Sequence, residues 1–111
     1  MDTRSSQLLR GTLDILILKM LAGGPLHGYG ITTRIAAETD EVIDIEDGAL
    51  YQALHRMEER GSIESAWGHA ENGKRARFYR LTPAGRKQLR VETASWMRYA
   101  AAVMKVLQPE G

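Results

Sequence analysis

The sequence predicts an α+β fold, mainly α with one small β-hairpin, and three observations carry that expectation. Apolar residues recur at helical spacing in four separate stretches. Two runs of β-type residues, SIESAW (62–67) and RARFYRLT (75–82), lie on either side of the turn-forming pair Asn72-Gly73. No tract rich in Gly, Ser or Pro divides the 111 residues, a length that suits one core.

The first helix is expected at about residues 11–22. Leu13, Leu16, Ile17, Met20 and Leu21 make one apolar stripe, while Ile15 and Leu18 add a second. A helix apolar on most sides must be covered on most sides, and a domain this small needs a second chain to do it. Gly23, Gly24 and Pro25 stop this helix. The second, about 27–39, carries Tyr29, Ile31, Ile35 and Ala36. The acidic connection ETDEVIDIED (38–47) contains a short β-type run, Val42 to Ile45. Its Asp44, Glu46 and Asp47 precede the third helix, where carboxylates cap free amides and complement the helix dipole.

The third helix, about 48–60, turns Leu50, Ala53, Leu54 and Met57 inward and leaves Tyr51, Gln52, His55, Arg56 and Glu59 outside. Gly61 ends it, and the hairpin follows at about 62–81. Thr82 and Pro83 are a good N-cap and N1 pair for a last helix reaching about Leu107. Leu89, Thr93, Trp96, Ala100, Val103 and Leu107 step by four and three along it, as in the seam of a coiled coil.

Charge is distributed unevenly although the net value is only +1. Residues 1–60 carry six Lys or Arg against ten Asp or Glu, and residues 61–111 carry nine against four. Between Asn72 and Val91 there are seven basic residues and no acidic one, a footprint that suits phosphate or else a solvated basic face. Cysteine is absent, so disulfides, thiol nucleophiles and thiolate metal sites are excluded. The apolar TLDILILKMLAG (12–23) is broken by Asp14 and Lys19 and is too short to span a bilayer. The N-terminal residues do not read as a secretory signal, and a cytoplasmic location with no membrane partner is expected. His27, His55 and His69 lie in different elements without metal-ligand spacing, and no phosphate loop or nucleophile motif is present. Neither an enzyme, a metal site nor a cofactor is expected.

Three helices, a hairpin and a long helix have the order of a winged helix-turn-helix with an appended helix. In that arrangement the third helix enters the major groove of double-stranded DNA. Gln52 can then present its amide to adenine, and Arg56 can reach guanine or a phosphate. Tyr51 can donate to a phosphate or lie against a thymine methyl, unless it folds back over the core edge, and His55 serves either role. Glu58 and Glu59 repel phosphate, so the first two turns of the helix are the ones expected to approach the duplex. On the wing, Lys74, Arg75 and Arg77 cluster with His69 across from them, placed to track the backbone or enter the minor groove. The competing reading is a winged-helix module that docks a basic protein on the acidic 38–47 segment and binds no DNA.

Three blocks, GPLHGYGI (24–31), GALYQALHRMEERGSI (48–63) and RFYRLTPAGRKQL (77–89), fall in the order and spacing of the PadR-like transcriptional regulators, which the chain resembles from about Leu9 onward. Ala49 and Gln52 stand where that family usually has Thr or Ser and often Pro. The resemblance implies a winged-helix DNA-binding part over residues 1–81 and a C-terminal dimerisation helix over 82–111, as in the compact subgroup with one such helix. It further implies a homodimer that binds a roughly palindromic operator and usually represses, each C-terminal helix packing against its partner's first helix. Leu13, Ile17, Leu89, Trp96, Ala100, Val103 and Leu107 are the expected interface. Some relatives take phenolic acids or planar drugs in a pore there, so a small aromatic ligand against Trp96 is an expectation too, beside the plainer role of a packing anchor.

Overall fold

Helix ends in this chain fall where local chemistry interrupts the backbone ladder. The computed structural model describes residues 3–109, with side chains from residue 11 onward. Helix α1 (Thr3–Leu21) runs into Gly24, whose φ of +136° suits glycine alone. Strand β1 (Leu26–His27) leads directly into α2 (Gly28–Glu38), where His27 is the N-cap and its Nδ1 accepts from the Gly30 amide at 3.0 Å. At the other end of α2 the Thr39 hydroxyl donates back to the Ile35 carbonyl at 2.9 Å and accepts from the Ile43 amide at 3.1 Å. Asp40 and Glu41 then turn the chain with positive φ.

Helix α3 (Asp47–Glu59) ends at Gly61, and strands β2 (Ile63–His69) and β3 (Arg75–Leu81) form the hairpin. Helix α4 (Pro83–Leu107) opens as its sequence requires, the Thr82 Oγ1 accepting from the Gly85 amide at 3.0 Å with Pro83 in the first turn. The sheet is antiparallel in the order β1-β3-β2, with Leu26 opposite Tyr79 on one side and Ile63 opposite Leu81 on the other. This is the expected α+β architecture, four helices and a small sheet.

The core is where α1, α2, α3 and the base of the hairpin meet. Ile17, Leu18, Leu21, Ile31, Ile35, Leu50, Leu54, Met57 and Ile63 are its fully buried large side chains. Each stabilises the fold by about 1.5–3 kcal/mol relative to exposure. Ile17 therefore belongs to its own subunit's core, which corrects its expected place at a dimer interface. Leu13 and Leu89 lean on the same core from its edge. Of the second apolar stripe of α1, Leu18 is covered within the chain, facing the core alongside Ile17, while Ile15 is half-buried.

Four local expectations differ from the structure. Helix α1 begins eight residues earlier than residue 11, at Thr3. Val42 to Ile45 is not a strand; Ile43 and Ile45 simply anchor an irregular connection against the core. The acidic residues before α3 do not cap it through their side chains: Glu46 holds the N-cap position with no such bond, and only Asp47 stands in the first turn to complement the dipole. Strand β1 was not expected, since two residues carry no periodicity.

Helix α4 is only partly covered. Gly85 is buried and Leu89 is half-buried, but Met97, Tyr99, Met104, Val106 and Leu107 are exposed. At 25 residues it is about 37 Å long, and beyond Ala100 its residues are exposed.

Candidate nucleic-acid interface

Because Leu50, Ala53, Leu54 and Met57 are buried, α3 presents Ala49, Tyr51, Gln52 and His55 to solvent, as the helical spacing predicts. Tyr51 is half exposed and its phenol lies over the first turn of α2. Gly28 makes this approach possible: a Cβ there would come within 2.5 Å of the Tyr51 hydroxyl. The aromatic ring thus bridges the two helices at one end of the candidate reading face. His55 pairs with Glu59 one turn on, Nε2 to Oε1 at 2.7 Å, with both side chains well exposed.

Arg56 departs from the expected role. Its Nη2 donates to Oδ1 of Asp14 on α1 at 2.7 Å, and the side chains retain 23% and 10% exposure. The guanidinium is drawn inward to neutralise a buried carboxylate, so it braces α3 against α1 and is removed from the base-reading set.

The wing's two faces follow from strand alternation. Ser65, Trp67 and His69 on β2 lie opposite Tyr79, Arg77 and Arg75 on β3, all on one face. The other face carries Ala66, Gly68, Ala76 and Phe78, with an Arg80–Glu64 ion pair at 2.6 Å. On the first face the Arg75 guanidinium stands 4.4 Å from the centre of the Trp67 indole and that of Arg77 stands 5.8 Å away. Arg77 is also tied down: its Nε donates to the Ser65 hydroxyl at 2.8 Å, and Ser65 in turn donates to Glu58 Oε2 at 2.7 Å. Its Nη2 is 3.6 Å from the same carboxylate. Glu58 is therefore balanced by an arginine and fixes the wing to the end of α3.

The turn is held by the Lys74 amide donating to Asn72 Oδ1 at 3.0 Å and by Gly73 at φ +81°. Lys74 and Arg75 remain exposed beside it. Tyr79 closes the base of this face; burial pushes its phenol above the ordinary 10.0, while Arg77 pulls the other way.

Together α2, α3 and the wing bound an open groove of about 1060 Å³, lined by Tyr29, Arg34, Tyr51, Trp67, Lys74 and Arg75 among others. Tyr51, Lys74, Arg75 and Arg77 from the sequence-based set share it, whereas Gln52 and His55 lie outside its lining on the exposed face of α3. Tyr29, Arg34 and Trp67 were not in that set. Trp67 was detectable in principle as an aromatic in a strand of alternating exposure beside a basic partner.

Away from the groove, Trp96 donates its indole N–H to Thr12 Oγ1 of its own α1 at 3.2 Å and keeps 41% exposure. Ala100 is half-buried, and Val103 and Leu107 are exposed.

Residues 17–91 match the family model described as the transcriptional regulator PadR-like family, well over half of the chain. The chain belongs to the PadR-like family. A transcriptional regulator of Mycobacterium tuberculosis is 34% identical over 80 residues, which cover 72% of this chain and 71% of the relative. Among solved structures, a transcriptional regulator from Clostridium thermocellum is 35% identical, with a TM-score of 0.81 over 89% of this chain and 96% of the other. A PadR-like transcriptional regulator from Bacillus cereus is 27% identical, with a TM-score of 0.78 over 94% and 99%. This PadR-like chain is accordingly a DNA-binding transcriptional regulator of winged-helix architecture. None of its described helices is long and apolar enough to cross a membrane.

Proposed function

We propose that the protein is a homodimeric repressor of a roughly palindromic operator, in which residues 1–81 read the DNA and residues 82–111 hold the dimer together. The observation that carries this reading is the shared groove: Tyr51 from the outward face of α3 lines it together with Lys74, Arg75 and Arg77 of the wing. Gln52 then reads bases in the major groove with Tyr51 and His55 beside it, and Lys74 and Arg75 hold the backbone. Arg77 contributes charge from a fixed position, shared with Glu58.

Dimerisation is supported by the seam of α4. Trp96, Ala100, Val103 and Leu107 offer a partly covered apolar stripe, and in the proposed dimer it packs, with Leu13 and Leu89, against the partner's first helix. Met97 and Met104 keep that surface deformable. A small planar aromatic ligand seated beside Trp96 is the proposed release signal. It acts only by binding one arrangement of the two wings better than the other.

The test is fluorescence anisotropy of a labelled duplex taken from just upstream of the protein's own coding sequence, beside a scrambled duplex at near-physiological salt. The expected result is at least about a hundredfold preference, at two chains per site. Equal binding to both duplexes removes the operator assignment, and no binding to either favours the docking module.

A further inference from the structure

We propose that Trp67 is a positioning residue for DNA binding: it holds the Arg75 guanidinium on the groove side of the wing before the duplex arrives. The inference rests on the reading that this groove meets duplex DNA.

Trp67 is 57% exposed on β2, an unusual position for so large an apolar ring in a small domain. Its place is explained by what lies on it. Arg75 stands 4.4 Å from the ring centre, within the range at which a cation is attracted to an indole face, and Arg77 stands farther off at 5.8 Å. The two arginines are not equivalent. Arg77 is fastened by Ser65 and balanced by Glu58, so it pins the wing to α3. Arg75 is exposed and pairs with no carboxylate among the described residues, and its neighbour Lys74 is exposed as well.

A free arginine at a loop edge loses rotamer freedom when it grips a phosphate, and that loss weakens binding. An indole shelf removes part of the loss by ordering the side chain in advance. The shelf is sited at the groove, since Trp67 and Arg75 line it together with Tyr29 and Tyr51. The ligand class is the sugar-phosphate backbone of a duplex, because the cation meets it without a base edge being specified. The effect is thus on affinity for all sequences and leaves preference among them unchanged.

The experiment is a double-mutant cycle on the full chain, read by anisotropy on the upstream duplex and on a scrambled one. Trp67→Ala is expected to weaken both by about two- to tenfold. Trp67→Phe, which keeps an aromatic face, is expected to recover much of that loss and guards against a folding defect. Arg75→Ala is expected to reduce the salt slope by about one contact. The deciding result is coupling: Trp67→Ala should cost little once Arg75 is already alanine. Additive losses would overturn the proposal and mean that Trp67 touches DNA by itself, and unchanged binding by Trp67→Ala would overturn it outright. If the wild-type chain binds both duplexes but equally, operator specificity fails while this proposal is still decided by the cycle. If it binds neither, the DNA reading of the groove and the proposal fall together.

Discussion

At the scale of single residues, Asp14 and Arg56 matter through burial. The carboxylate keeps 10% exposure and the guanidinium 23%, so either partner left alone is a charge with little water around it. Asp14→Ala is expected to lower unfolding stability by about 2–4 kcal/mol in urea denaturation, toward the lower end of the cost of breaking a fully buried pair. Replacing both by apolar residues, Asp14→Leu with Arg56→Met, should lose less than either single change. Helical spacing showed Arg56 as polar and outward, yet a long side chain near the edge of the buried stripe can reach either way. Its direction is decided by Asp14, 42 residues earlier, and no local pattern contains that partner. Ile17 was misplaced for a related reason: an apolar residue on a helix predicts burial, whereas which chain covers it depends on packing.

At the scale of elements, the short-range chemistry was legible. The stripe of α3 and the Thr82-Pro83 start of α4 both follow from spacing and capping, and the structure places them within a residue or two of expectation. The hairpin was legible in kind, but its register was not. A two-residue Asn72-Gly73 turn would set Trp67 opposite Phe78. The Ala70 amide instead donates to the Lys74 carbonyl at 2.9 Å, so three residues form the connection and Trp67 faces Arg77. That single step moves the indole to the groove side. The junction between the hairpin and α4 is tighter still. Gly85 is buried against the Ser62 carbonyl, where an added Cβ would collide with backbone. Gly85→Ala is therefore expected to cost more than about 2 kcal/mol, seen as a fall in the thermal midpoint. Ala84→Ser, one residue earlier and exposed, serves as the control and should change little.

For the whole molecule, apolar surface is divided unevenly between the core and α4. The core accounts for α1, α2, α3 and the hairpin base, while α4 leaves Val103, Met104, Val106 and Leu107 facing outward beyond it. In the proposed dimer these residues are covered, and a charge among them would have to be buried unpaired. Val103→Glu is expected to shift the chain toward monomer in sedimentation equilibrium, with the monomer keeping its helix content. The same variant should lose most of its preference for a palindrome over a half-site, since two recognition helices about 34 Å apart no longer act together. The acidic 38–47 connection has no part in the proposed complex: Asp40, Glu41, Asp44, Glu46 and Asp47 are exposed, and among the described residues their side chains form no ion pair.

In the proposed complex labour is divided, with base reading by the outward face of α3 and backbone holding by the wing. Selection of bound sites from a randomised duplex library, run with wild type, Gln52→Ala and Lys74→Ala, tests it most directly. Gln52→Ala is expected to erase preference at one or two symmetric positions, whereas Lys74→Ala is expected to recover the wild-type motif at lower yield. Identical motifs from Gln52→Ala and wild type, or a motif altered by Lys74→Ala alone, would contradict it.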